Sequence, residues 1–193
     1  MKIIGLTGGI GCGKTTVLKV FSEFGIPCFV ADEKAGKYYD DPLFLVKIRE
    51  LFGDTVFHSN GTVDKARIAT IVFNDTDALK KLNALIHPMV LEDFKKWCQQ
   101  QQTPYVIFES AILYEYGFDK LMDAIITVYL DKEERLRRLE LRDHTSREIL
   151  EARMRNQLSA EEKMDRADYV ILNFEGNPRH RQVSYIHQKI MNS

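Results

Sequence analysis

Lys2-Ile3-Ile4-Gly5-Leu6-Thr7-Gly8-Gly9-Ile10-Gly11-Cys12-Gly13-Lys14-Thr15-Thr16 decides how the rest of the chain is read. Residues 2–7 are a short apolar run suited to a buried strand. Beyond the quoted stretch, Val17, Val20, Phe21 and Phe24 fall at i, i+3, i+4 and i+7, one face of a helix. Between strand and helix lies the pattern G-x-x-x-x-G-K-[ST], from Gly8 to Thr15. Glycines let the backbone curl until successive N–H groups face one anion. The helix behind them adds the positive end of its dipole at the same point. Lys14 reaches the outer phosphates of a nucleotide there, and the Thr15 hydroxyl is placed to ligate Mg²⁺.

The bulk numbers fit one ordinary globular domain. The chain has 193 residues, 45% hydrophobic and 28% charged, enough for a single sizeable core with small insertions. Lys plus Arg is 27 and Asp plus Glu is 28, so global charge gives no reason to expect nucleic acid or an anionic membrane as partner. Cys12, Cys28 and Cys98 are odd in number and widely spaced, neither a disulfide framework nor a zinc site. No signal peptide is visible and no apolar run approaches the roughly 18 residues of a membrane span. A reducing, cytoplasmic setting is expected.

Four further strand candidates cover residues 26–31, 105–108, 124–130 and 168–172, separated by stretches of helical period. That alternation predicts an α/β fold, a five-stranded parallel sheet with helices on both faces. Residues 43–101 hold no convincing central strand and read as a helical insertion. Within it, residues 43–52 look helical and stop at Gly53, Asn60-Gly61 signals a turn, and Asp64 can cap a helix. Two apolar stripes follow, Leu79, Leu82 and Ile86, then Val90, Phe94 and Trp97, with His87-Pro88 read as the boundary between two helices. Residues 132–158 are rich in arginine and divide into helices over 132–141 and 146–157, with Thr145 or Ser146 as cap. Val183, Ile186 and Ile190 predict a last helix packed on the sheet.

Several side chains outside the loop bear chemistry. Asp32 stands just past the second strand, at the sheet edge where ligands of open α/β folds bind. It suits a base for a substrate hydroxyl or a metal-side carboxylate, with a plain helix cap as the simpler reading. Glu109 ends the third strand, a position that can support Mg²⁺ or be merely solvated. The arginines of 132–158 read either as a lid closing on phosphates or as an exposed face paired with nearby glutamates. Cys12 has a helix N-terminus and Lys14 beside it to lower its pKa, unless its side chain points away from the ligand.

With these residues in view, the chain resembles the dephospho-CoA kinase family over nearly its whole length. The resemblance rests on Thr7–Thr15 as the family's T-G-G-I-G-S-G-K-S/T loop, Ala31-Asp32 with Ala35, and Leu82-Asn83-Ala84-Leu85-Ile86-His87-Pro88. It continues with Arg138 and Arg142-Asp143 as R-x-x-x-R-D, Arg153 with Gln157, and Asp168-Tyr169-Val170-Ile171 with Asn173. Val30, Ala111 and Leu172 depart from it, standing where the family usually has an aspartate, a proline and an acid. The resemblance implies a P-loop kinase core, residues 36–102 as the region binding the CoA moiety, and residues 132–158 as a lid. It implies transfer of the ATP γ-phosphate to the ribose 3′-hydroxyl of dephospho-CoA with Mg²⁺. In that scheme Asp32, Lys14 and Arg142 are catalytic, and the nucleotide is held by Gly8, Gly9, Ile10, Gly11, Cys12, Gly13, Lys14, Thr15, Thr16, Arg138, Arg142 and Asn173. Asp32, His87, Glu109 and Leu113 face the acceptor, and Thr15 faces the metal. The alternatives are another small P-loop kinase acting on a nucleoside or nucleoside monophosphate, and a non-catalytic nucleotide switch. A GTPase would carry N-K-x-D and D-x-x-G, and neither occurs.

Overall fold

The computed structural model describes residues 1–193. Five strands, β1 (Lys2–Thr7), β2 (Cys28–Val30), β3 (Tyr105–Glu109), β4 (Ala124–Tyr129) and β5 (Tyr169–Leu172), form one parallel sheet in the order β2-β3-β1-β4-β5. Helix α1 (Lys14–Glu23) follows β1. Helices α2 (Ala31–Lys37), α3 (Pro42–Phe52), α4 (Lys65–Asn74) and α5 (Thr76–Cys98) lie between β2 and β3. Helices α6 (Lys132–Asp143), α7 (Arg147–Arg155) and α8 (Ala160–Arg166) lie between β4 and β5, and α9 (Arg179–Asn192) follows β5. The chain divides into two compact units, Met1–Val30 with Gln100–Ser193, and Ala31–Gln99.

In the first unit the strand residues alternate between two covered faces, the pattern of a parallel sheet buried on both sides. Ile4, Leu6, Ile107, Ile126, Val128 and Ile171 pack with Val17, Leu18 and Phe21 of α1 and Val183, Ile186 and Ile190 of α9. The last helix therefore lies where its stripe predicts. On the other face, Phe108 meets Phe118 edge-on at 5.6 Å, and Leu113 and Met122 fill the space beside Gly5. Helix α8 joins them there through the Thr127 hydroxyl, which donates to the Lys163 carbonyl at 3.1 Å. All five expected strands form, the four later ones with ends shifted by one or two residues.

The second unit is helical apart from one isolated bridge, Phe57 to Val63, closed by the expected turn with Gly61 at φ 81°. Asp41, Asp64 and Asp75 cap α3, α4 and α5 by accepting N–H bonds from residues two or three positions on. Gly53 stops α3 at φ 72°. Tyr38 donates to Asp93 at 2.9 Å and Lys34 pairs with the same carboxylate at 3.2 Å, tying α2 and the turn after it to α5. One expectation is corrected here. His87-Pro88 is not a boundary, because α5 runs unbroken for 23 residues with Pro88 inside it. Proline removes one ladder bond, to the Ala84 carbonyl, and the buried residues Leu82, Val90 and Phe94 on either side keep the helix continuous. A second departure is α8, whose buried face is Ala160 and Lys163 and carries no apolar stripe. No helix of the chain is long and apolar enough to cross a membrane.

Candidate active site

The strand order reverses at β1, which lies between β3 and β4, so the crevice at the carboxyl ends of β1 and β3 is where an open α/β sheet binds its ligand. Residues 8–13 make the turn from β1 to α1 at that edge. Gly13 holds the N-cap of α1 at φ 91°, left-handed backbone that strains any other residue. A side chain on Gly13 would also strike the Asn173 amide, and one on Gly9 the Arg135 guanidinium. The turn is braced from within by the Cys12 N–H on the Gly9 carbonyl at 3.1 Å. From outside, the Asn173 amide donates to the Cys12 carbonyl at 2.6 Å, and Gln157 accepts the Ile10 N–H at 3.1 Å. The Ile10 side chain packs, as Met154 does, against the cluster of Leu136, Leu139 and Leu150, so the small core of α6 and α7 grips the loop.

Lys14 donates to the Gly8 carbonyl at 3.2 Å and pairs with Glu109 at 3.4 Å, the two side chains 13% and 5% exposed. Glu109 is thus a buried strand end rather than a solvated one. Thr15 and Thr16 open α1 and are exposed. Cys12 is buried and its sulfur lies toward Gly8, and burial pushes its thiol up despite Lys14. The pull of the helix N-terminus and Lys14 expected from sequence is outweighed by desolvation.

Arg138 of α6 pairs with Glu134 at 2.8 Å and its other arm lies 3.5 Å from the Asn173 carbonyl. Arg179 donates to the Asn173 side chain at 3.2 Å. These residues, with Phe174 and Asn177, line a polar hollow of about 310 Å³ near Gly13. Arg142, at the end of α6, is exposed and bonded to Asp143 at 2.6 Å. That contact holds the Asp143 carboxyl below the usual carboxylate range. Leu113 departs from its expected place at a ligand surface. It is fully buried against Gly5, because the turn after β3 folds back under the sheet. Asp32 and His87 belong to the second unit. Asp32 stands in the first turn of α2, immediately beyond β2, and is not the helix cap. His87 lies on α5, where burial pulls its pKa down to about 4 and leaves the ring neutral at neutral pH.

Among the arginines of 132–158, Arg135 is neither exposed nor paired with a nearby glutamate, and Lys163 has no counterpart in the sequence expectations. Arg135 is buried beside Gly9, and Lys163 has no exposed surface and pairs with Glu115 at 2.8 Å. A buried cation has no periodic signature, and both are hidden in charged helices. Glu115 is engaged by both Lys163 and the Leu158 N–H.

A parallel sheet in this order, with a G-x-x-x-x-G-K-T loop at the carboxyl end of its central strand and arginine-bearing helices packed on that loop, defines a P-loop kinase. The sequence profile of dephospho-CoA kinase matches residues 2–178. The chain belongs to the dephospho-CoA kinase family. It is 38% identical to the dephospho-CoA kinase of Fusobacterium nucleatum over 171 residues, 89% of each chain. A crystal structure from Thermus thermophilus superposes with a TM-score of 0.87 at 31% identity, covering 97% of this chain and 96% of its own. The dephospho-CoA kinase from Campylobacter jejuni superposes with a TM-score of 0.66 at 28% identity, covering 98% and 97%.

Proposed function

We propose that the chain transfers the γ-phosphoryl group of ATP to the ribose 3′-hydroxyl of dephospho-CoA, giving coenzyme A and ADP. The observation that carries this reading is the packing of α6 on the phosphate loop, Arg135 at Gly9, Leu139 at Gly11 and Arg138 near Gly13, in a chain of this family. The loop N–H groups and the N-terminus of α1 hold the phosphates. Lys14 exchanges Glu109 for phosphate oxygens as the nucleotide enters, and Asn173 with the adjoining hollow takes the adenine end. Asp32 accepts the proton of the 3′-hydroxyl as its oxygen bonds to phosphorus and the bond to the ADP oxygen breaks. Residues 36–102, His87 among them, take the CoA moiety. Arg138 and Arg142 close with the lid, and Arg142 must release Asp143 to reach the phosphates.

The donors near Lys14 fit Mg²⁺. The Thr15 hydroxyl and the Glu109 carboxylate are hard oxygens, and this cation takes one or two protein oxygens and fills its shell with phosphate and water. When bound it neutralises charge on the β- and γ-phosphates.

An ADP-release assay with dephospho-CoA against a panel of nucleosides and nucleoside monophosphates tests the reading. Turnover with dephospho-CoA and one added phosphate on the ribose 3′ position by mass spectrometry is expected. Fast turnover of another acceptor alone would make it a different small-molecule kinase. ATP binding without turnover of any acceptor would make it a nucleotide switch.

A further inference from the structure

Helix α8 carries a lysine with no exposed surface. The Lys163 ammonium meets Glu115 at 2.8 Å and donates to the Ala111 carbonyl. The same Glu115 oxygen accepts the Leu158 N–H at 2.8 Å, and the other is buried without a hydrogen bond. Leu158 follows Gln157, which accepts the Ile10 N–H of the phosphate loop. A path therefore runs by polar contacts from Ala111 through Lys163 and Glu115 to the Leu158 N–H, along the chain to Gln157, and from its side chain to Ile10. It joins the turn two residues beyond Glu109 to the end of the arginine-rich stretch and to the loop.

Stability alone does not account for this arrangement. A buried ion pair loses its hydration and is usually matched or bettered by apolar residues of the same volume. Burial pushes the Lys163 ammonium below its ordinary range although Glu115 pulls the other way, and Lys14 adds to the depression.

We propose that Lys163 is a positioning residue for phosphoryl transfer. Paired with Glu115, it holds the turn behind Glu109 in register with Ile10 of the phosphate loop, through Gln157. This rests on the kinase reading above.

Three variants of the full chain test it, Lys163→Met, the double variant Lys163→Met with Glu115→Met, and Gln157→Leu. Each is read by melting temperature, kcat with dephospho-CoA, and Kd for a fluorescent ATP analogue. Lys163→Met strands a buried carboxylate, and is expected to lower the melting temperature and kcat and to raise the Kd. The double variant removes both charges. Its melting temperature is expected to recover while kcat stays at least about tenfold down and the analogue binds about tenfold more weakly, the scale of a misplaced reacting group. Gln157→Leu is expected to show the same kinetic loss at nearly parental melting temperature. Recovery of kcat along with stability in the double variant, or parental kcat and analogue binding in Gln157→Leu, would overturn the proposal. The analogue needs no acceptor. A parent chain that binds it but ignores dephospho-CoA would refute the substrate and leave the positioning claim to be decided by the variants' Kd.

Discussion

The Lys14 ammonium faces Glu109 in a site that excludes most water, where one point charge counts for far more than at a surface. Lys14→Ala is expected to lower kcat by about 10²- to 10³-fold, the loss seen when one preorganised transition-state contact is removed. Circular dichroism should be unchanged, since the loop backbone is set by its glycines. In the proposed reaction Asp32 would act on the other reactant. Asp32→Asn keeps the size and removes the proton acceptor, so kcat should fall about 10²-fold while the Kd of an ATP analogue hardly moves. Loss of Mg·ATP binding with kcat intact at saturation would make Asp32 a metal-side residue instead. His87 gives a pH dependence of known sign. Its folded pKa, about 4, lies below the unfolded value of about 6.5, so the unfolded chain takes up the proton first. Its contribution to stability is complete above about pH 6.5 and is lost as the pH falls toward 4. Melting temperature should drop across that window, and less steeply in His87→Gln.

At the scale of elements, α6 and α7 share a core of only Leu136, Leu139 and Leu150, extended by Ile10 of the loop and Met154. Few buried contacts mean cheap local opening. Residues 132–158 are expected to move together and to close when both substrates are present, because Arg142 sits exposed on Asp143 until then. Hydrogen exchange across these residues should slow with an ATP analogue plus dephospho-CoA. Exchange that stays the same at saturation would leave the arginines as a solvated face. What was legible here follows from periodicity. The strands were readable because each is a short apolar run, and α9 because its stripe is regular. The break expected at Pro88 failed because proline forbids one hydrogen bond, not a helix, and packing on both sides outweighs it. Helix α8 was unreadable because its buried face is Ala160 and Lys163, and a lysine in the interior looks like one on the surface.

For the molecule as a whole, the phosphate loop is a linkage point. A nucleotide at about 100 times its Kd should stabilise the folded form by about 2.7 kcal/mol, which raises the melting temperature several degrees in a chain of this size. A thermal shift absent in Lys14→Ala and present in Asp32→Asn would place the effect at the loop. The alternation of strands and helices made the fold class legible, and the G-x-x-x-x-G-K-T spacing made the loop legible. Strand order was not, since period 2 says which face a residue takes and nothing about its neighbour. The contacts of Asn173 and Gln157 on the loop were invisible for the same reason, as they join residues far apart in sequence.

The central place of β1 also sets the order in which the chain can fold during synthesis. Its partners begin with Tyr105 and Ala124, roughly a hundred residues downstream of Lys2 and Ile4. At about 5–20 residues per second, β1 leaves the ribosome many seconds before either neighbour exists. Residues 31–99 emerge in that interval and have their own internal contacts to form. The nucleotide site is therefore among the last parts to assemble. Until β3 and β4 arrive, Ile3-Ile4-Gly5-Leu6 is an unpaired apolar edge. Nascent chains stalled between residue 99 and residue 124 should be the ones most prone to capture by holdase chaperones.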